Sequence, residues 1–493
     1  MLRLSRMKTE HSNMTKTFFR PALPIALSML AAGQVAAAPV QGEAVSFSSP
    51  GGLTEQCIRI QAMPGADFSK HDRKTEETYC ALDLYRLALC PKLWSTSPGT
   101  ILYEIALENW GGDPAGFEQA SCSAGHHARD EALDKPATFK MSVNDRDTSA
   151  TYAPSAWIYY HFSRYFDTNV YVPVAVYRSM EAAQHNRRVT RRGVGLTEGH
   201  RNLRMLAAGW RFVDELERGE GSAGARAAAL TDEGRQVYGV LLDNKGDRYG
   251  PEINGTRESG WGSGQNHDFQ LTAPFIALRT AGALQEAASH GVHQARTNPR
   301  MAKALPADIS TTQVVFWMRD VLEIVLLDYL LGQQDRIGNI DYNWRWFWVE
   351  DGKLESKSAH GHEPPDEIRA FDPVRLRRSA INDNDAGVRS GYANFARRTG
   401  MLDGLRHFHP GLYQRLGRLA ADLAEGGPIY AWLTGPAGLG TREADAIKQR
   451  AVEAFEKLGG DCRSGQLALD LDPAAFIGAE PDPSPRNCDI TPP

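Results

Sequence analysis

The chain has 493 residues, 55 basic against 60 acidic side chains, a net charge of -5 and 42% hydrophobic composition. That is more apolar material than one small core needs and suits two lobes or two to three domains. The acidic balance argues against a nucleic-acid partner, whose binders are usually basic.

At the N-terminus, Lys16 and Arg20 precede an apolar run from Pro21 to Ala32 and the small residues of QVAAAP. This is the layout of a signal peptide cleaved after Ala37. Its dozen or so apolar residues fall short of the ~20 that a membrane span needs. Removing residues 1–37 takes away five basic residues and one acid, which leaves a charge of -9. With no other long uncharged apolar segment, the mature chain is expected to lack a transmembrane segment and to be periplasmic or secreted. All six cysteines lie in it: Cys57, Cys80, Cys90, Cys122, Cys462 and Cys488. An even count in an exported chain favours disulfides. Two bridges are expected among the first four cysteines, in an N-terminal region 38–134, with connectivity open. A third, Cys462 to Cys488, is expected to close a C-terminal tail, 461–493.

KPATFKMSV, 135–143, alternates as a strand, with Phe139 and Met141 on one face and Lys140 on the other. APSAWIYYHFSRYF, 153–166, reads as a helix with Pro154 in its first turn. VYVPVAVYR, 170–178, reads as a buried strand whose proline places it at an edge or a bulge. QVYGVLLDNKGDRYG, 236–250, has the turn signals of a hairpin at Asp243–Gly246, and GWGSGQN, 260–266, is a glycine-rich turn. TTQVVFWMRDVLEIVLLDYLLG, 311–332, is a core helix capped by Thr311 and ended by Gly332. At ~1.5 Å per residue it spans about 33 Å, so its C-terminus delivers the following residues to one defined place.

Those residues include Asp335, Arg336, Ile337 and Asn339. After them YNWRWFWV places Trp344, Trp346 and Trp348 on one face, which reads as core rather than a sugar-stacking platform. Asp351-Gly352 marks a hairpin, KLESKS returns, and IRAFDPV ends an apolar run at Asp372. Phosphoryl transfer needs a carboxylate to orient the attacking hydroxyl, oxygen ligands for a divalent metal, and a cation on the phosphates. The hairpin is expected to bring Asp372 back beside Asp335 and Asn339, with Lys140 as the cation. INDNDAG, 381–387, reads as a turn or helix cap.

LLDYLLGQQDRIGNI resembles the helix, Asp-Arg-His and downstream Asn of the atypical kinase-like group that includes HipA, the phosphoinositide kinases and the secretory-pathway kinases. IRAFDPV is similar to that group's metal-binding aspartate segment, and SAWIYYHFSRYFDTNVYVPVAVYR resembles its helix followed by a Val-Pro-Pro strand. The resemblance covers about a quarter of the chain. It implies a divergent exported bacterial member with an α+β, kinase-like bilobal fold: a small mixed β N-lobe (135–300, with an insertion) and a mainly helical C-lobe (301–460). ATP and Mg²⁺ or Mn²⁺ would lie between the lobes, with Asp335 catalytic, Asn339 and Asp372 on the metal, and Lys140 on phosphate. The acceptor is unknown. Ile337 stands where the group has His, and Asn339 lies four residues after the aspartate rather than five, so Asp341 and Asn343 remain alternative ligands. The helix 154–166 offers Lys140 no glutamate, which leaves it unpaired or partnered by Glu104 or Glu181. The alternative function is a catalytically inactive pseudokinase serving as an envelope binding or scaffold protein.

Overall fold

The computed structural model describes residues 39–123, 127–478 and 488; the expected signal segment 1–37 lies outside them. The fold is α+β, and every strand pairing within its sheets is antiparallel. The larger sheet takes β1 (Gly42–Ser48), β2 (Thr54–Ile60), β3 (Ala88–Pro91), β4 (Thr100–Glu104), β5 (Asp134–Met141), β6 (Ala175–Glu181), β7 (Leu230–Thr231) and β8 (Gln236–Leu242). Their spatial order is β1-β2-β6-β8-β5-β4-β3, with β7 alongside β8. The four strands before residue 134 thus belong to the sheet that carries Lys140. In the smaller sheet, β10 (Ile340–Glu350) lies between β11 (Lys353–Ser358) and β12 (Val374–Ile381), and β9 (Asp247–Arg248) also pairs with β10.

Helix α1 (Lys70–Ala81) starts with a reciprocal capping box between Ser69 and Asp72. Helix α2 (Ala153–Phe166) has the expected bounds, with proline in its first turn and nearly every side chain buried. Helix α3 (Thr311–Leu331) is the apolar spine anticipated from its sequence. Ser310 rather than Thr311 is its N-cap, and Gly332 ends it at a φ of 68°. A left-handed stop of this kind suits glycine, which has no Cβ to clash. Helix α4 (Pro410–Glu425) packs on α2 and on α5 (Thr441–Arg463), and α5 packs on the spine.

Two local readings are corrected by non-local pairing. β6 is not an edge strand: it begins after Pro173 and lies between β2 and β8. Proline cannot donate to a ladder, but one placed before the strand leaves the ladder intact. The segment 236–250 is not a hairpin. β8 stays in the larger sheet while β9 joins β10, so residues 243–246 cross from one sheet to the other. Tyr171 adds a second tie, since its N–H donates to Ser379 O (2.8 Å) and its carbonyl accepts from Ile381 N (2.9 Å).

Cys57–Cys80, Cys90–Cys122 and Cys462–Cys488 are disulfides, a pattern that fits an oxidising compartment. No helix among the described residues is long and apolar enough to cross a membrane. Trp346 and Trp348 pack with Ile368 in a small core, and Trp344 lies under the Arg375 guanidinium, 4.1 Å from its ring centroid.

Candidate functional site

Where the two sheets approach the end of α3, they enclose a cleft of about 640 Å³ lined by Lys92, Lys140, Arg248, Asp335, Asn339 and Asp383, among others. Lys140 projects from β5, whose register against β8 places it opposite Val240. Its side chain is 2% exposed, and its Nζ donates to Asp383 Oδ1 at 2.6 Å and lies 3.3 Å from Asp385 Oδ2. Burial alone would lower the Lys140 ammonium, yet the two carboxylates hold it above its ordinary range. Burial would likewise raise Asp383, but Lys140 and Lys92 hold it well below the carboxylate range. Burial and the neighbouring Lys140 pull the Lys92 ammonium down.

Asp335 occupies the loop that leaves α3. Its Oδ1 accepts from Trp261 Nε1 at 3.3 Å. Burial pushes its carboxyl up against that bond, and the charges of Asp383 and Asp385 push the same way. Asn339 donates from Nδ2 to the Asp335 carbonyl (2.9 Å), and its Oδ1 accepts from Arg248 (3.0 Å). Arg248 also pairs with Asp341, which accepts from Asn382 Nδ2. Ile337 is buried in the cleft wall.

Arg336 fastens these pieces together. Its guanidinium bonds both oxygens of Asp328 on α3, the Asn382 carbonyl (2.7 Å) and Asn384 Oδ1 (2.8 Å). The Tyr159 hydroxyl of α2 donates to the same Asp328 at 2.8 Å. The turn 382–386 is held further by Tyr152 N on the Asp385 carbonyl and Gln334 N on the Ala386 carbonyl. Asp383 itself takes a φ of 51°, a left-handed conformation that aspartate tolerates better than most residues.

The structure therefore brings Lys140, Asp335 and Asn339 into one cleft and leaves Asp372 out. Asp372 is exposed and precedes β12, and the eight residues of that strand carry the chain on the order of 25 Å before it reaches the cleft. A ligand there cannot share an ion with Asp335 or Asn339. The aspartates that do converge, Asp383 and Asp385, lie in the segment read as a turn. The sequence hid them because β12, VRLRRSAI, alternates arginines with apolar residues and does not look like a buried strand. Neither suggested glutamate partners Lys140: Glu104 is exposed at the end of β4, and Glu181 accepts from Gly51 N at 2.9 Å. Asn343 lines the neighbouring groove, whereas Asp341 lines the cleft. Also unanticipated are Lys92 and the Trp94–Ser97 turn between β3 and β4, and Trp261 and Arg257 opposite them. The only local signal for that turn is its run of small polar residues, STSPG.

Among the described residues no group of three or more His, Cys, Asp or Glu side chains is gathered closely enough to hold a metal by itself. A magnesium-type ion bound with a phosphate needs only one or two carboxylates, water and the phosphate oxygens. The donor set fits that lesser demand. Asp383 keeps 29% of its side chain exposed while Asp385 keeps 4%, and Asn382 Oδ1 is buried with no hydrogen-bond partner among the described residues. No known protein-family signature matches this sequence, and no curated protein matches it.

Proposed function

We propose that the protein is an exported, periplasmic or secreted, kinase-like phosphotransferase that binds ATP between a sheet-rich lobe and a helix-rich lobe. The observation that carries this reading is the buried Lys140, clamped by two aspartates and facing Asp335 and Asn339 across one cleft. Lys140 and Lys92 would hold phosphate oxygens, and Asp385, the more buried carboxylate, would keep Lys140 oriented. Asp383 and Asn339 would be the protein ligands of Mg²⁺ or Mn²⁺, replacing Asp372 in that role. The ion would neutralise charge on the phosphates. Asp335 would orient an acceptor hydroxyl and take its proton as the oxygen bonds to the γ-phosphorus. The bond from that phosphorus to the bridging oxygen breaks and the nucleoside diphosphate leaves. The raised Asp335 carboxyl suits a group that must accept a proton.

One observation favours the second reading, a non-catalytic pseudokinase that binds or scaffolds in the envelope. Arg248 already engages both Asn339 Oδ1 and Asp341, so a cation on Asn339 would have to displace it. Its 51% exposed side chain leaves room to swing away.

Thermal melting with ATP and Mn²⁺ tests the common ground. The midpoint should rise, and the rise should vanish in Lys140→Met and Asp383→Asn. No rise in the wild-type chain removes both readings. Phosphate transfer to solvent or acceptor that drops ~10²-fold or more in Asp335→Asn, with the nucleotide-induced shift retained, supports the enzyme. A shift without any turnover supports the pseudokinase.

A further inference from the structure

A second groove of about 940 Å³ adjoins the cleft, and Tyr103, Arg129, Lys135 and Asn244 line both. β10 leads from one to the other. Asp341, Asn343 and Arg345 share one face of that strand, and Asn343 stands opposite Arg378 of β12. Arg345 and Arg378 are thus diagonal neighbours on one face, within reach of each other. Both line the second groove and a further one of about 650 Å³ that continues from it.

Several partly or wholly buried arginines have carboxylates: Arg336 has Asp328, Arg164 has Asp72, and Arg377 has Glu252. This pair has none within ion-pair distance among the described residues. Arg345 donates to Ser356 Oγ (3.0 Å), the Ser356 carbonyl (2.9 Å) and Ser358 Oγ (3.3 Å). Arg378 donates from Nε to the Asn169 carbonyl, and its two terminal nitrogens bond none of the described residues. The acids nearest Arg378 are turned to other partners. Asp320 accepts from Ser379 N (2.8 Å) and Asn169 Nδ2 (2.6 Å), and Glu323 from Val170 N (2.8 Å) and Arg319. Burial and the charge of Arg378 bring Arg345 down to about 10, and burial lowers Arg378 too. Both side chains remain partly exposed to the groove.

We propose that Arg345 and Arg378 form a binding site for a tetrahedral dianion, a phosphate or sulfate group. Guanidinium groups match such a group through forked N–H donors, both of these line the same groove, and an anion there relieves the repulsion of Arg378 on Arg345, which Asp320 and Glu323 offset only on the Arg378 side. The site stands independently of the chemistry in the cleft. One extension rests on the phosphotransferase reading: the group held here then belongs to the acceptor, whose reactive hydroxyl lies beyond the roughly 13 Å of strand from Arg345 to Asp341.

Inorganic phosphate titrated into the full chain at constant ionic strength, with chloride as control, tests the site by calorimetry and melting temperature. Binding should saturate, weaken at least tenfold in Arg345→Gln and in Arg378→Gln, and survive in Lys140→Met. Arg345→Gln decides the matter if loss of the Asn169 bond unfolds Arg378→Gln, because the Arg345 partners lie on the edge strand β11. Phosphate affinity unchanged in Arg345→Gln, or abolished only by Lys140→Met, overturns the proposal. Glucose 6-phosphate binding more tightly than phosphate upholds a site for a phosphorylated ligand, and equal affinity upholds one for the free ion. Phosphate binding that persists where ATP and Mn²⁺ give no stabilisation removes the phosphotransferase reading and leaves this site in place.

Discussion

Replacing Arg336 by methionine tests the fastening of the cleft. Arg336 and Asp328 are 3% and 6% exposed, so truncating the guanidinium leaves a carboxylate in the interior with the Tyr159 hydroxyl on one of its oxygens. Removing one partner of a buried pair costs ~3–5 kcal/mol, and the surviving tyrosine bond argues for the lower end, about 3 kcal/mol. In a chain of this length, unfolding entropy of ~2.1 cal/mol/K per residue makes each kcal/mol worth roughly 1 °C, so the midpoint should fall by about 3 °C. Asp328→Asn alone strands the arginine and should cost a similar amount. The double variant, which buries no lone charge, should be less destabilised than the sum of the singles by ~2 kcal/mol or more. Circular dichroism melts of the four proteins under oxidising conditions give the cycle. Additive effects, or single variants within ~0.5 kcal/mol of wild type, would refute the argument that this pair holds the loop, the helix and the turn 382–386 together.

Three further outcomes are expected. His161, walled in by Phe68, Tyr160 and Trp432, is pulled down to about 3 by burial, with Arg73 and Arg164 adding to it. The unfolded chain therefore takes up a proton near pH 6.5 that the folded chain refuses until far lower, so stability falls with acid across that window by up to ~5 kcal/mol. His161→Gln, melted from pH 7 to 4, should lose that part of the slope; an unchanged slope assigns the acid sensitivity elsewhere. Lys140→Met should be destabilising at pH 7, where Asp383 and Asp385 are left facing each other. Because the folded chain holds Asp383 below its unfolded value, the pair's contribution is present above pH ~4 and fades as the pH falls further. The melting gap from wild type should accordingly narrow in acid, and a gap independent of pH counts against the ion pair. Converting both Cys57 and Cys80 to alanine opens a loop of sequence separation 23 and should cost ~3 kcal/mol, read as a lower midpoint that reductant lowers no further by way of this bridge.

What could be read from the sequence alone was whatever depends on near neighbours. The period of α3, the proline-led start of α2, the alternation that sets Lys140 on the face of β5 opposite Phe139 and Met141, and the Asp335–Asn339 loop all follow from residues a few positions apart. Side-chain direction repeats every two residues in a strand and every 3.6 in a helix. An even number of cysteines likewise implied bridges, although only folding paired Cys57 with Cys80 and Cys90 with Cys122. The tertiary structure decided which distant groups meet. Asp372 and Asp383 bracket the same strand, and the direction in which β12 runs puts one at the cleft and the other roughly a strand's length away. Residues 243–246 carry turn signals in either case, but whether they close a hairpin or cross between sheets depends on which strand offers β9 a partner. Arg345 and Arg378 are unremarkable in sequence, 33 positions apart, and became a charged pair only through the register of β10 on β12. Local patterns are set by backbone geometry, whereas convergence is set by sheet order and register, which no short window of sequence contains.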